Sequence, residues 1–175
     1  MTLLISAILG TIGLVGAQTS SPVPPGVRSA LDRMHPGWRI ASVADDVRQF
    51  VGTRLGSVPN VVVGDFDGNS RSDVAILIEY PNADEPAKAF THYTEIIAFL
   101  DTGRGYEAVP VDARMPGPDP IFFLTLQKRG QPGRDFEANK PFIYPHDSIG
   151  AWFFEKGGGT YIYDNGRFRF VLESD

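Results

Sequence analysis

The chain contains no cysteine. That excludes disulfide staples, thiol nucleophiles and thiolate metal sites, so the fold must be held by its apolar core and by any ion it binds. Histidine is scarce too: His35, His92 and His146 stand in separate segments without metal-ligand spacing, and read as surface or turn residues. There is no run of Lys or Arg, and the net charge is −5, which argues against a nucleic-acid face or a patch for anionic membranes. No Gly-x-Ser-x-Gly frame marks a nucleophile, and the glycines at 157–159 have no following helix or Lys to make a phosphate cradle.

Extended apolar runs are missing as well, with one exception. Residues 1–17 (MTLLISAILGTIGLVGA) carry no charge, and Val15 and Ala17 fit the −3 and −1 positions of a cleavage site before Gln18. This predicts a signal peptide and an exported chain, periplasmic or extracellular. The run is too short and too rich in Gly, Ser and Thr to span comfortably, so no stable membrane insertion is expected after cleavage. The Pro/Ser segment 18–26 reads as a disordered arm, and 27–175 as a single domain.

What the chain does have is turns and short apolar segments. Gly (19) and Pro (14) are frequent enough to punctuate a strand-and-hairpin protein. Val27, Ala30, Leu31 and Met34 recur at helical spacing, and Pro36 and Gly37 stop that helix. A second helix is expected from Ser42, capped by its hydroxyl, with Val43, Val47, Phe50 and Val51 on one face. Thereafter the period is two. Strands are expected over 38–41, 60–63, 74–78, 94–100, 106–111, 121–126 and 151–154, with 116–120 breaking the chain. Residues 128–141 read as the longest loop and the most mobile segment. Asn165-Gly166 is the dipeptide of a type I′ turn, which would set Tyr163 opposite Phe168, Tyr161 opposite Phe170 and Asp164 opposite Arg167. The aromatic side of that hairpin needs a covering layer, or else offers a carbohydrate-stacking platform. The sum is an α+β domain: one or two N-terminal helices on a largely antiparallel β-sheet.

The most informative stretch is 64–77, GDFDGNSRSDVAIL, which sets a side-chain oxygen at alternate residues and then turns apolar. Counting from Asp65, positions 1, 3, 5 and 9 are Asp65, Asp67, Asn69 and Asp73, and position 7 is Arg71, which can offer its carbonyl. Calcium takes six to eight hard oxygen ligands, and a tight loop with alternating acceptors can wrap one ion. Three carboxylates so close would otherwise repel. A metal-free Asp/Asn/Gly turn with its own Asx hydrogen bonds is the alternative. An EF-hand is excluded, because its position 12 is a bidentate Glu leading into a helix, whereas here it is Ile76 inside a β-type run.

The frame Gly64-Asp65-Phe66-Asp67-Gly68-Asn69, then Ser72-Asp73-Val74-Ala75, resembles the calcium loops of FG-GAP/VCBS-type repeats. The resemblance implies calcium bound by Asp65, Asp67, Asn69 and Asp73, with the Arg71 carbonyl completing the set. It departs from the pattern at Asn69-Ser70, where the family has Asp-Gly, and Arg71 adds a positive charge; both differences should weaken binding. Only one copy is present, so the resemblance carries the loop and its two strands and not the propeller such repeats build. Separately, the layout with one such loop and the ending Phe154-Glu155-Lys156, Tyr161-Ile162-Tyr163-Asp164-Asn165-Gly166-Arg167-Phe168 and Ser174-Asp175 looks like that of small exported bacterial proteins of unknown role.

These features together predict an exported, calcium-binding, non-catalytic module that binds a protein or glycan partner. Two alternatives stand beside it. A small calcium-stabilised secreted hydrolase would need Glu79 and Glu95 in one cleft, and an inhibitor of a secreted enzyme would use the 128–141 loop as its inserted element.

Overall fold

The computed structural model describes residues 22–55, 60–82, 91–117 and 119–174. The signal peptide expected over 1–17 lies outside them. Helix α1 (Pro25–Met34) has Pro at its first turn, where the missing N–H costs nothing. It ends where the His35 N–H reaches the Leu31 carbonyl, followed by Gly37 at φ 80°. Val27 and Leu31 are buried while Met34 faces solvent. The arm expected over 18–26 is corrected in its described part: Val23 is buried in the core and α1 begins at Pro25.

Strand β1 (Arg39–Ile40) leads to α2 (Asp45–Leu55), which starts three residues after the expected Ser42. The intervening residues are held extended, because the Ala41 N–H bonds to the Leu77 carbonyl and the Ala44 N–H to that of Pro120. Eleven further strands follow among the described residues: β2 (Val61–Gly64), β3 (Asp73–Pro81), β4 (His92–Asp101), β5 (Tyr106–Pro110), β6 (Met115–Gly117), β7 (Phe122–Gln127), β8 (Pro132–Asp135), β9 (Lys140–Ile143), β10 (Ser148–Phe153), β11 (Gly157–Asp164) and β12 (Arg167–Ser174).

All pairings are antiparallel, and the fold is α+β as the sequence predicts. The strands divide into two main sheets. In sheet A, β3 and β4 form the centre, β1 and β2 share the outer edge of β3, and β5 and β6 share that of β4. Sheet B runs β12-β11-β10-β7. Period-two alternation sends Ala75, Leu77, Ile96, Ala98 and Leu100 of sheet A against Phe122, Leu124, Ile149, Ala151 and Tyr161 of sheet B, forming the central core. The other face of sheet A (Val74, Ile76, Ile78, Ile97, Phe99) is covered by Val23, Val27 and Leu31. Burial on both faces explains why β3 is apolar without alternation.

The outer face of sheet B is covered at one end by Val43 and Val47 against Phe123. At the other end Phe142 and Tyr144 lie over Ile162 and Val171. The segment expected as a mobile loop is therefore corrected. Much of 128–141 belongs to the β8–β9 hairpin, docked on sheet B, with the Phe136 N–H bonded to the Leu172 carbonyl. The β11–β12 hairpin has the predicted register, Tyr161↔Phe170, Tyr163↔Phe168 and Asp164↔Arg167. Its aromatic side joins the central core through Tyr161, with Tyr163 and Phe168 against it, while Phe170 is exposed. Among the described residues no helix is long and apolar enough to cross a membrane.

Candidate metal centre

The β2–β3 connection is the oxygen-rich loop. Strand pairing brings its ends together at Gly64↔Asp73, and Gly68 and Ser70 take left-handed backbone angles of 79° and 68° to close the turn. The loop is then fixed by its own side chains. Asp65 Oδ2 accepts the Ser70 N–H at 3.0 Å, Asp67 Oδ1 that of Asn69 at 3.0 Å, and Asn69 Oδ1 that of Arg71 at 2.8 Å. Each acceptor thus holds the backbone a few residues ahead, as Asx turns do.

Asp65, Asp67 and Asp73 converge, each offering a carboxylate oxygen with all three such atoms within 4.8 Å of one another. Asp73 is fully buried. Its Oδ2 takes the Phe66 N–H at 2.8 Å and its Oδ1 the Asp101 N–H at 2.7 Å. Burial raises its pKa above the ordinary 3.8, and the charge of Asp67 adds to that, against the lowering effect of the backbone N–H bonds. Asp65 Oδ1 is buried and has no hydrogen-bond partner. A buried acceptor left this way costs about 1–3 kcal/mol, so it marks a missing donor or cation.

The remaining predicted ligands are placed differently. Asn69 lies beside the cluster, but its Nδ2 donates to Asp67 Oδ2 at 2.9 Å and to the Asp101 carbonyl at 3.0 Å. Its Oδ1, already accepting from Arg71, keeps a second lone pair. The Arg71 guanidinium lies against Gly103 of the β4–β5 turn.

Two contributors come from elsewhere in the chain and have no local sequence signal. Asp101 ends β4 and clamps the loop by its main chain, donating to Asp73 and accepting from Asn69. Asp147, just before β10, accepts the Asp65 N–H at 3.3 Å and returns its own N–H to the Asp65 carbonyl at 3.1 Å. It also takes the Arg129 N–H and the Lys128 ammonium. Burial pushes the Asp147 pKa up, but these donors outweigh it and hold it below 3.8. Gly64 is required here, since a Cβ would stand 2.9 Å from Asp147 Oδ2. The loop thus joins sheet A to the start of β10 in sheet B.

The carboxylates of the rival hydrolase do not meet. Glu79 shares the sandwich-facing side of β3 with Ala75 and Leu77, whereas Glu95 lies on the α1 side, where it accepts the Tyr80 hydroxyl at 2.9 Å. No family model, no curated protein and no solved structure matches the chain.

Proposed function

We propose that the chain is an exported, non-catalytic module in which calcium locks the β2–β3 loop and the neighbouring surface binds a protein or glycan partner. Asp65, Asp67, Asn69, Asp73 and the Arg71 carbonyl would hold the ion. The observation that carries this reading is the convergence of the Asp65, Asp67 and Asp73 carboxylates, one of which, Asp65, has a buried oxygen without a hydrogen-bond partner. The donor set is all oxygen, which suits a hard cation such as calcium and not zinc or copper. Bound there, the ion supplies the positive charge that three converging acids lack. The single FG-GAP/VCBS-like loop acts as a staple between two strands and, through Asp147, between two sheets. Export rests on the uncharged apolar run at 1–17. The divergence of Glu79 and Glu95 supports a binding role over hydrolysis.

Calorimetry and thermal melting in calcium and in chelator test the proposal. A site filled to about 100 times its Kd gains roughly 2.7 kcal/mol, which raises the melting temperature by roughly 5–10 °C in a chain of this size. The Asp65→Ala/Asp67→Ala variant should show no such rise. A wild-type protein indifferent to calcium would remove the metal.

A further inference from the structure

We infer that the groove across the outer face of sheet B is a binding site for a neutral oligosaccharide. This rests on the reading of the chain as a non-catalytic binding module, and selects glycan over protein as its partner. The groove lies beside α2 and the turn before β8, and has a volume of about 870 Å³. Small-molecule sites commonly occupy roughly 300–1,000 Å³. Thr125 and Gln127 of β7 and Trp152 of β10 contribute to it from the sheet, and Gln131, Glu155 and Lys156 from the turns. Phe50, Phe123 and Phe154 add an aromatic wall, with the Phe50 ring 5.2 Å from that of Phe154 and 6.4 Å from that of Phe123.

The polar groups are arranged for hydroxyls. Thr125 Oγ1 accepts from Trp152 Nε1 at 2.9 Å and from Gln127 Nε2 at 3.2 Å, which leaves its own hydrogen to donate. Gln131 Oε1 accepts the Lys128 N–H. Gln127 also carries Oε1 as an acceptor and Gln131 its Nε2 as a donor, both residues lining the groove. A donor, an acceptor and an amide donor therefore stand beside aromatic rings. Sugar hydroxyls both donate and accept, and sugar C–H faces lie against aromatic surface. Charge argues the same way: Glu155 and Lys156 are one of each sign, so an ionic ligand gains no net attraction. A wholly apolar ligand would strip water from Thr125 and Gln127 without replacing its hydrogen bonds. Gly150 opposes Thr125 across the sheet, and a Cβ there would stand 2.1 Å from Thr125 Oγ1, so a side chain would break up the Trp152–Thr125–Gln127 set.

The chain has two tryptophans, which gives the test an internal control. Indole N–H resonances of the whole protein are followed during titration with maltotriose, cellotriose, xylotriose and chitotriose. With at least one of these sugars, the Trp152 signal should move saturably while that of Trp38, beside α1, stays still. Gln127→Ala should weaken that sugar about tenfold, without lowering the melting temperature, through loss of an oriented hydrogen-bonding group. No movement with any of the four sugars, or equal affinity in Gln127→Ala, overturns the site. Calcium titrated into the same sample separates the two proposals: calcium binding without sugar binding removes the groove alone, and the reverse removes the metal loop alone.

Discussion

Strand β3 carries a buried carboxylate near each end, Asp73 and Glu79, both on the side facing sheet B, and the molecule treats them differently. Asp73 gives both oxygens to backbone N–H groups of the segments it orders, those of Phe66 and Asp101. Glu79 has a side chain as its partner: Arg39, directly across from it on β1, bonds to Oε1, and Oε2 has no hydrogen-bond partner. The Arg39 side chain is 66% exposed, so the pair latches a two-residue strand from the solvent side. Around Asp73 two more acids converge; among the described residues none does so around Glu79, since Glu95 lies across the sheet. A buried acid alone is thus no sign of a metal site, and the convergence of several is what sets Asp73 apart.

The largest effect expected from breaking this contrast is at Asp73. In chelator, Asp73→Ala leaves two backbone donors without their acceptor and should cost about 2–4 kcal/mol by chemical denaturation. Asp73→Asn retains one acceptor oxygen and should cost less, while losing most of the calcium response. At the other end, Arg39→Met leaves Glu79 buried without its cation. Because the arginine is mostly exposed, a loss of about 1–2 kcal/mol is expected, below that of a fully buried pair. The double variant Arg39→Met/Glu79→Leu should recover most of it.

Smaller effects sharpen the metal end. Ser70 sits at φ 68°, so Ser70→Gly should stabilise by about 0.5–1 kcal/mol. Combined with Asn69→Asp it should also tighten calcium binding by calorimetry. The finest test is pH. Asp73 holds its proton to higher pH than an ordinary Asp, so protons compete with calcium there from above 3.8. The difference in melting temperature between calcium and chelator should be full at neutral pH and shrink as pH falls into the carboxylate range. In chelator the same raised pKa works in the opposite sense: it stabilises the fold at low pH, and that contribution is lost as pH rises through 3.8 to the folded value.

Residues close in sequence were the legible part of this fold. Asn165-Gly166 dictated a hairpin register correct at each of its three predicted cross-strand pairs, because the turn determines the pairing locally. The acidic loop was readable for the same reason, since its ligand spacing lies within nine residues. What depends on distant partners was hidden. Nothing around Asp101 or Asp147 announces that they grip the loop from β4 and from the start of β10. In the sequence, Asn60 reads as an ordinary strand residue. It is buried at φ 66°, donates to the Ala41 carbonyl at 2.8 Å and accepts the Leu124 N–H at 3.2 Å, so one side chain ties together three separate segments. The β8–β9 hairpin escaped notice because its strands are polar and rich in Gly and Pro, and their pairing is sustained by Phe142 and the adjacent Tyr144 docking on sheet B.

The order of strands along the chain has a kinetic consequence. Every strand of sheet A precedes every strand of sheet B, and no described strand crosses between them. A chain emerging from its N-terminus can therefore complete the ladders of the first sheet while the second is still unmade. Until Phe122 and its successors arrive, Leu77, Ile96 and Leu100 present an uncovered apolar layer to the surroundings. This order allows one half to dock onto the other during assembly, and an undocked half would expose that apolar layer to aggregation.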